Sequence, residues 1–169
     1  SVRLFKPDSP EVFKAQRALA IGYTWQGFYD KGLEIIKPLY EEVELVLGED
    51  NITTIDVLVT YASILEKKGE YNEVLSLQKD IYERRNRILG ENHPKTLEAT
   101  VALAKAYDKM GRYSDALPLR ELVLEKRRTL FGELHPKTLK AIWGVAYNLE
   151  QLGRYQEALK LRLEIYEKY

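Results

Sequence analysis

The side chains best suited to chemistry in this sequence are two histidines, a run of arginines and two tryptophans, and cysteine is absent from all 169 residues. His93 and His135 could in principle bind a metal or transfer a proton. A zinc site, however, needs about four converging ligands, and the sequence has no Cys/His cluster. Glycine-rich phosphate loops and the common hydrolase motifs are also absent from it. We therefore predict no catalytic residue, no bound metal, no cofactor and no enzymatic activity.

The composition excludes further classes of protein. With 26 basic and 26 acidic residues the net charge is zero, which argues against a nucleic-acid binder, because such proteins rely on cations that contact phosphates. Apolar runs stay well below the roughly 18 residues that span a membrane, and no signal peptide is visible. We expect a cytoplasmic protein without nucleic-acid or membrane partners. Because residue 1 is serine, we expect the chain to be a segment of a longer or processed protein.

The sequence contains four copies of one repeat. The five residues His-Pro-Lys-Thr-Leu occur at 93–97 and again at 135–139, which are 42 residues apart. The turn Gly111-Arg112-Tyr113 recurs with the same step at 153–155. Stepping back along the chain gives four copies with approximate bounds 9–50, 51–92, 93–134 and 135–169. We predict a single domain, 1–169, composed of these four repeats.

Each repeat has the pattern of two helices separated by a glycine turn. In the third repeat, His93 precedes Pro94, which suits the first position of a helix, and Gly111 ends that helix. Ser114 or Asp115 is expected to begin the second helix. An alanine column, where small side chains let two helices approach closely, recurs at Ala20, Ala62, Ala104 and Ala146. Such hairpins bury their apolar faces only by stacking, so the predicted fold is an all-α, right-handed α-solenoid of four helix–turn–helix repeats.

The arginine run at 83–87 and its counterpart at 125–128 allow two interpretations. They could form a patch for phosphate or nucleic acid, or they could form ion pairs between neighbouring repeats. We favour ion pairs, because the first repeat has Glu42 and Glu44 where the second has Arg84 and Asn86.

The turn residues and their neighbours resemble the tetratricopeptide repeat. The resemblance is carried by Gly111-x-Tyr113 with Ala116 and Leu117 after it, and by Leu103-Ala104 and Tyr107 before it. That family usually repeats about every 34 residues, whereas this chain uses the longer step and a Gly-Glu-x-His-Pro-x-Thr-Leu connector at 90–97 and 132–139. These features are similar to the kinesin-light-chain type, which is also found in sensor regions of signal-transduction NTPases.

The resemblance implies a non-catalytic scaffold that holds a peptide or partner helix in a concave groove lined by the first helix of each repeat. The family's groove positions, aligned on the turn glycine, correspond to Arg17, Ile21, Trp25, Val59, Ser63, Val101, Lys105, Trp143 and Tyr147. Kinesin-light-chain repeats often carry an Asn-Asn pair where this chain has Val101-Ala102 and Trp143-Gly144, which argues against a carboxylate clamp. The two tryptophans could anchor a partner or could pack against a neighbouring helix.

A second interpretation concerns the ends of the array. Solenoids need polar caps, yet the last helix carries Leu163, Ile165 and Tyr166. The protein could therefore be a structural or oligomerisation module that associates through the exposed C-terminal repeat. The sequence favours the groove-binding scaffold, which we expect to be the docking or sensor part of a larger protein.

Overall fold

The computed structural model describes residues 9–167, and over this range the chain consists of α-helices joined by short turns, with no β-strand. The helices are α1 Pro10–Trp25, α2 Tyr29–Leu47, α3 Ile52–Lys68, α4 Tyr71–Leu89, α5 Pro94–Lys109, α6 Tyr113–Phe131, α7 Pro136–Gln151 and α8 Tyr155–Tyr166. The predicted all-α class of repeated helical hairpins is confirmed.

The chain divides into two compact units. Unit 1 ends at Ile88 and contains α1 to α4, and unit 2 begins at Leu89 and contains α5 to α8. Each unit therefore holds two helical hairpins, and each hairpin lies within the bounds predicted for one repeat. The single domain over the whole chain remains a prediction.

The two histidines are helix caps. His93 precedes Pro94, and its Nδ1 accepts a hydrogen bond from the backbone N–H of Lys95 at 3.1 Å. His135 accepts the same bond from Lys137, also at 3.1 Å. Each imidazole thus satisfies one of the N–H groups that a helix leaves free at its start.

The turn glycines act as expected, but the second helix begins earlier than predicted. Gly111 has a φ of +69°, a conformation that favours glycine, and it reverses the chain after α5. The helix α6 then starts at Tyr113 rather than at Ser114 or Asp115. Its cap residue Arg112 makes no side-chain bond to the backbone of the first turn, and its Nε instead donates to Asp115 Oδ2 at 2.8 Å. The prediction was wrong because it required a conventional capping side chain.

The alanine column marks close approaches between helices. Ala20, Ala62, Ala104 and Ala146 are all fully buried, with 0% of their surface exposed. At the first of them, α1 and α2 lie so close that a Cβ on Gly32 would be 3.2 Å from the carbonyl oxygen of Ala20. A leucine in this column would overpack the interface, at a cost of about 1 to 3 kcal/mol.

The arginine run of unit 1 forms ion pairs between repeats, as favoured from the sequence. Arg84, in α4, donates from Nη2 to Glu44 Oε1 in α2 at 2.8 Å and from Nη1 to the carbonyl oxygen of Glu49 at 2.9 Å. Its Nε also donates to Asp80 Oδ1 at 2.7 Å, and Arg87 pairs with Asp50. The structure therefore accounts for both arginines without a phosphate ligand.

The core of unit 2 is built around α7. Leu117, Val123 and Leu124 of α6 and Ala158 of α8 are buried together with the apolar side of α7. The α7 members of this cluster are Ala141, Ile142, Val145, Ala146 and Leu149. This packing fixes the rotation of α7 about its axis, and so decides which of its other side chains face outward.

Candidate functional site

A cleft in unit 2 brings together three of the predicted groove residues. Val101 of α5 lies opposite Trp143 and Tyr147, which share one face of α7 because they are four residues apart. The cleft has a volume of about 350 Å³. Its lining residues are Val101, Arg120, Val123, Arg127, Lys140, Ala141, Trp143, Gly144 and Tyr147. We refer to it as the Trp143 cleft.

Trp143 is exposed yet held in place. Its side of α7 faces out of the core, and 55% of its surface is accessible. The guanidinium of Arg162 lies over the indole ring, 4.9 Å from its centroid, and is itself fixed by Glu150 at 2.9 Å. An arginine over an aromatic face is an attractive cation–π contact. The ring is therefore available to a ligand and already positioned.

Tyr147 forms the next part of the aromatic wall. Its ring meets that of Tyr113 edge to face, with 6.0 Å between the centroids. A hydrogen bond with Tyr113, with a smaller effect of burial, raises the pKa of Tyr147. The phenol of Tyr147 therefore stays neutral at physiological pH.

Arg120 crosses the floor of the cleft beside Gly144. Its guanidinium pairs with Asp108, which also accepts a hydrogen bond from Asn148 Nδ2 at 2.6 Å. A Cβ at position 144 would lie 2.5 Å from Arg120 Nη1, so glycine is needed to admit this side chain. The charge of Arg120 is satisfied inside the protein, which makes this arginine part of the floor and not a free anion site.

Two other cations in the cleft have no such partner. Arg127 donates from Nη1 to the carbonyl oxygen of Lys137 at 3.0 Å, and neither Arg127 nor Lys140 forms a salt bridge within residues 9–167. Burial lowers the pKa of Arg127, with Glu98 acting weakly in the opposite direction. The cleft therefore combines aromatic and aliphatic walls with two positive charges that form no salt bridge among the described residues.

The other predicted residues lie outside this cleft. In unit 1, Arg17 donates from Nε to Thr60 Oγ1 at 2.7 Å, which links α1 to α3. Ile21 and Val59 are half-buried and Ser63 is exposed. Lys105 of α5 is exposed and is not among the residues that line the Trp143 cleft.

Trp25 needs a correction of register. The 42-residue step places Thr24, not Trp25, in the column of Glu66, Asp108 and Glu150. Thr24 is buried and donates to the carbonyl oxygen of Ala20, whereas Trp25, the last residue of α1, is 84% exposed. Both tryptophans are therefore exposed, but they do not occupy equivalent positions of the repeat.

Sequence reasoning did not assign Arg120 and Arg127 to the groove, because it placed groove residues only on the first helix of each repeat. Arg120 and Arg127 come from α6, the second helix of the third repeat. A signal for one of them was present: an acid is followed twelve residues later by an arginine at Asp108–Arg120 and again at Glu150–Arg162, and both pairs form. Arg127 belongs to the basic run at 125–128, for which ion pairs were the favoured interpretation.

Residues 9–167 hold no group of three or more His, Asp or Glu placed to bind a metal ion. Over the same range, every helix is too short or too polar to cross a bilayer.

Helical hairpins repeated at a fixed step, with an aromatic and cationic cleft between them, define a helical-repeat protein of the class that is typical of protein-interaction scaffolds. A family model described as "Tetratricopeptide repeat" matches residues 53–129. The match confirms the resemblance found in the sequence, and it covers a little under half of the chain.

Solved structures share this fold over nearly the whole chain. Two crystal structures of a Podosopora anserina protein, described as a kinesin light chain with nearly identical TPR-like repeats, have TM-scores of 0.86 and 0.82. Both are 21% identical to this chain and cover 98% and 96% of it, and 78% and 75% of their own chains. The structure of BtubC (BKLC) from P. vanneervenii has a TM-score of 0.78 at 17% identity, covering 98% of this chain and 68% of its own. The fold is thus kinesin-light-chain-like.

A more distant structure, MamA MSR-1 C2, has a TM-score of 0.63 at 21% identity and covers 95% of this chain and 81% of its own. A comparison with curated protein sequences found no match.

Proposed function

We propose that this protein is a non-catalytic interaction module that binds a peptide segment of a partner protein in the Trp143 cleft. The segment places an apolar side chain against Trp143 and Tyr147 and a carboxylate against Arg127 and Lys140. One observation carries this proposal: an exposed, positioned indole ring stands beside two cations that lack a carboxylate partner among the described residues.

The energetics favour such a ligand. Arg162 and Glu150 already hold the indole ring, so little side-chain entropy is lost when a ligand covers it. Arg127 is already partly removed from water, so a carboxylate that reaches it gains from the lower local dielectric, and the further desolvation cost for the arginine is smaller than for a fully exposed one. One short peptide segment can therefore make apolar contact with the aromatic wall and form a salt bridge with the cations at the same time.

The wider role follows the family resemblance. Tetratricopeptide repeats hold partners for other domains, and we propose the same here: a docking or sensor region of a larger cytoplasmic protein. The kinesin-light-chain-like fold supports a scaffold role, and the chemistry of the cleft, not the fold, selects the ligand.

A charge reversal at the cleft tests the ligand's chemistry. We expect that Lys140→Glu weakens binding of peptides selected from a random peptide library by about tenfold, because it replaces an attraction by a repulsion of the ligand carboxylate. Lys67→Glu changes another exposed lysine, on α3 in unit 1, gives the protein the same net charge as Lys140→Glu, and serves as the control. Affinities are measured by isothermal titration calorimetry. Equal affinities for the two variants would contradict the proposed ligand class.

A second candidate function is association through α8, which one observation favours. Leu159 of α8 is 52% exposed, whereas its counterpart Leu117 in α6 is 6% exposed and packs in the core with α7. Tyr155, Leu163 and Tyr166 are exposed on the same helix. If a second copy covers this face, the mass from sedimentation equilibrium rises with concentration and Leu159→Glu holds it at the monomer. A monomer at all concentrations contradicts association through α8.

A further inference from the structure

A second cleft of unit 2 lies on the other side of α7. Val145, on its floor, is two residues beyond Trp143 and therefore about 200° further around the helix. The cleft is lined by α6, α7 and α8, is open to solvent and has a volume of about 530 Å³. Its floor is apolar and consists of Leu124, Val145, Leu149 and Leu161. We refer to it as the α6–α8 cleft.

The rim of this cleft is mainly acidic. Four carboxylates, Glu121, Glu125, Glu157 and Glu164, stand against two cations, Arg128 and Lys160. Glu157 is held by Arg154 through two hydrogen bonds of 2.7 Å. Glu121 and Glu125 form no salt bridge within the described range of the chain. An occupant of the cleft therefore meets an apolar floor and two carboxylates that form no salt bridge among the described residues.

In unit 1, larger side chains occupy two of the positions equivalent to the floor of this cleft. Two repeats earlier in the sequence, the counterparts are Tyr61 for Val145, Tyr40 for Leu124 and Glu73 for Glu157. Tyr61 is buried, and its hydroxyl donates to Glu73 Oε1 at 2.7 Å. A phenol ring thus stands in unit 1 where unit 2 has the smaller side chain of valine.

A guanidinium accompanies the tyrosines of unit 1. Tyr40 donates its hydroxyl to Glu44 at 2.7 Å and accepts a hydrogen bond from Arg84 Nη2 at 3.0 Å. Arg84 also pairs with Asp80, the counterpart of the rim residue Glu164. The counterpart of Arg84 itself is Lys168, which lies outside the described residues. In unit 1, the rings of Tyr40 and Tyr61 fill the equivalent apolar space, and Arg84 pairs with the neighbouring carboxylates.

We propose that the α6–α8 cleft is a second docking site, which binds a segment of a partner protein that carries an aromatic ring next to a basic side chain. The ring lies on the floor over Val145 and Leu124, in the space that Tyr61 and Tyr40 take in unit 1. The basic side chain meets Glu121 and Glu125. This site is separate from the Trp143 cleft and takes a ligand of opposite charge.

The comparison with unit 1 suggests a variant that tests this proposal. Val145→Tyr places in unit 2 the residue that unit 1 carries at the same position, with Glu157 available to accept its hydroxyl as Glu73 does. We expect the variant to fold and to fill the cleft. Binding of a short fluorescein-labelled peptide of alternating tyrosine and arginine, followed by fluorescence anisotropy, is expected to fall at least about tenfold.

Three controls make the result decisive. The double variant Glu121→Lys with Glu125→Lys changes only exposed side chains, and it is expected to weaken the same peptide even if Val145→Tyr fails to fold. A peptide of alternating tyrosine and glutamate is expected to bind at least about tenfold more weakly than the arginine peptide. Trp143→Ala, in the other cleft, is expected to leave the arginine peptide unaffected, so the two proposed sites can fail separately.

Two outcomes would overturn the proposal. In the first, the arginine peptide binds wild type, Val145→Tyr and the double variant with equal affinity. In the second, wild type sediments as a dimer and Val145→Tyr as a monomer, which would make a second copy of the chain, and not a partner's peptide, the occupant.

Discussion

Trp143→Ala is expected to weaken binding of a library-selected peptide by about 30-fold. A tryptophan at the centre of an interface commonly contributes 2 kcal/mol or more, and each 1.4 kcal/mol corresponds to a factor of ten. The loss falls on binding and not on folding, because more than half of the ring surface is exposed before any ligand arrives. We expect circular dichroism and the urea midpoint to change little, while the dissociation rate of the peptide rises.

The other tryptophan provides a matched control for this experiment. Trp25→Ala removes the same side chain from an exposed helix end in unit 1, and it is expected to leave peptide affinity unchanged. With Trp25→Phe as background, Trp143 is the remaining indole, since the chain has two tryptophans. Peptide binding should then change its fluorescence emission. An unchanged affinity in Trp143→Ala, or an emission that does not respond to bound peptide, would contradict the assignment of the cleft.

Arg84→Ala is expected to lower the free energy of unfolding by about 2 kcal/mol. The Arg84 side chain is only 7% exposed and is bonded to Glu44, Asp80, Tyr40 and a backbone carbonyl. Removing one partner of a buried ion pair costs about 3 to 5 kcal/mol, and we expect less here because both carboxylates are more than one-third exposed. Urea denaturation followed by circular dichroism gives the change in free energy of unfolding.

The matched variant is Arg87→Ala, three residues further along α4. Arg87 also bridges to the preceding repeat, through Glu49 and Asp50, but about half of its side chain is exposed. Its removal is expected to leave the urea midpoint unchanged, because water and salt screen such pairs. Equal losses in the two variants would show that burial of Arg84 does not determine its contribution.

The same network predicts a dependence on pH. Partial burial acts to raise the pKa of Glu44, but hydrogen bonds from Tyr40 and Arg84 outweigh it and hold the pKa below its usual value. A carboxyl with a lowered pKa stabilises the fold above its unfolded pKa, and that contribution is lost as the pH falls through the folded pKa. The stability difference between wild type and Arg84→Ala is therefore expected to shrink below about pH 4. On the alkaline side Tyr40 stays protonated, because burial and the bond to Glu44 raise its pKa to about 12.

Much of the fold could be predicted from the sequence, because its signals are local and are repeated. The proline after His93, the turn at Gly111 and the alanine column each act within a few residues or at one helix crossing. The error at Tyr113 was equally local: a glycine with positive φ allowed the helix to begin without a capping side chain.

The candidate sites could be predicted only in part. Trp143 and Tyr147 were identified through the family's groove positions, and the structure brings both into one cleft with Val101. Arg127 could not be predicted, because its lack of a carboxylate partner depends on every charge around it in three dimensions. The α6–α8 cleft also went unseen, since valine and tyrosine at equivalent positions look like ordinary variation in an apolar column.

The sequence by itself therefore determined the repeat, its helices, its caps and its closely packed crossings. Periodicity and turn chemistry govern these features, and both can be observed along the chain. The tertiary structure alone decided which side chains remain available to a partner. Trp143 is exposed and Leu117 is buried because neighbouring helices cover the leucine and leave most of the indole uncovered. The exposure and the charge pairing of a side chain depend on residues that are distant in the sequence. The partners of Arg120 and Arg84, for example, lie 12 and 44 positions away.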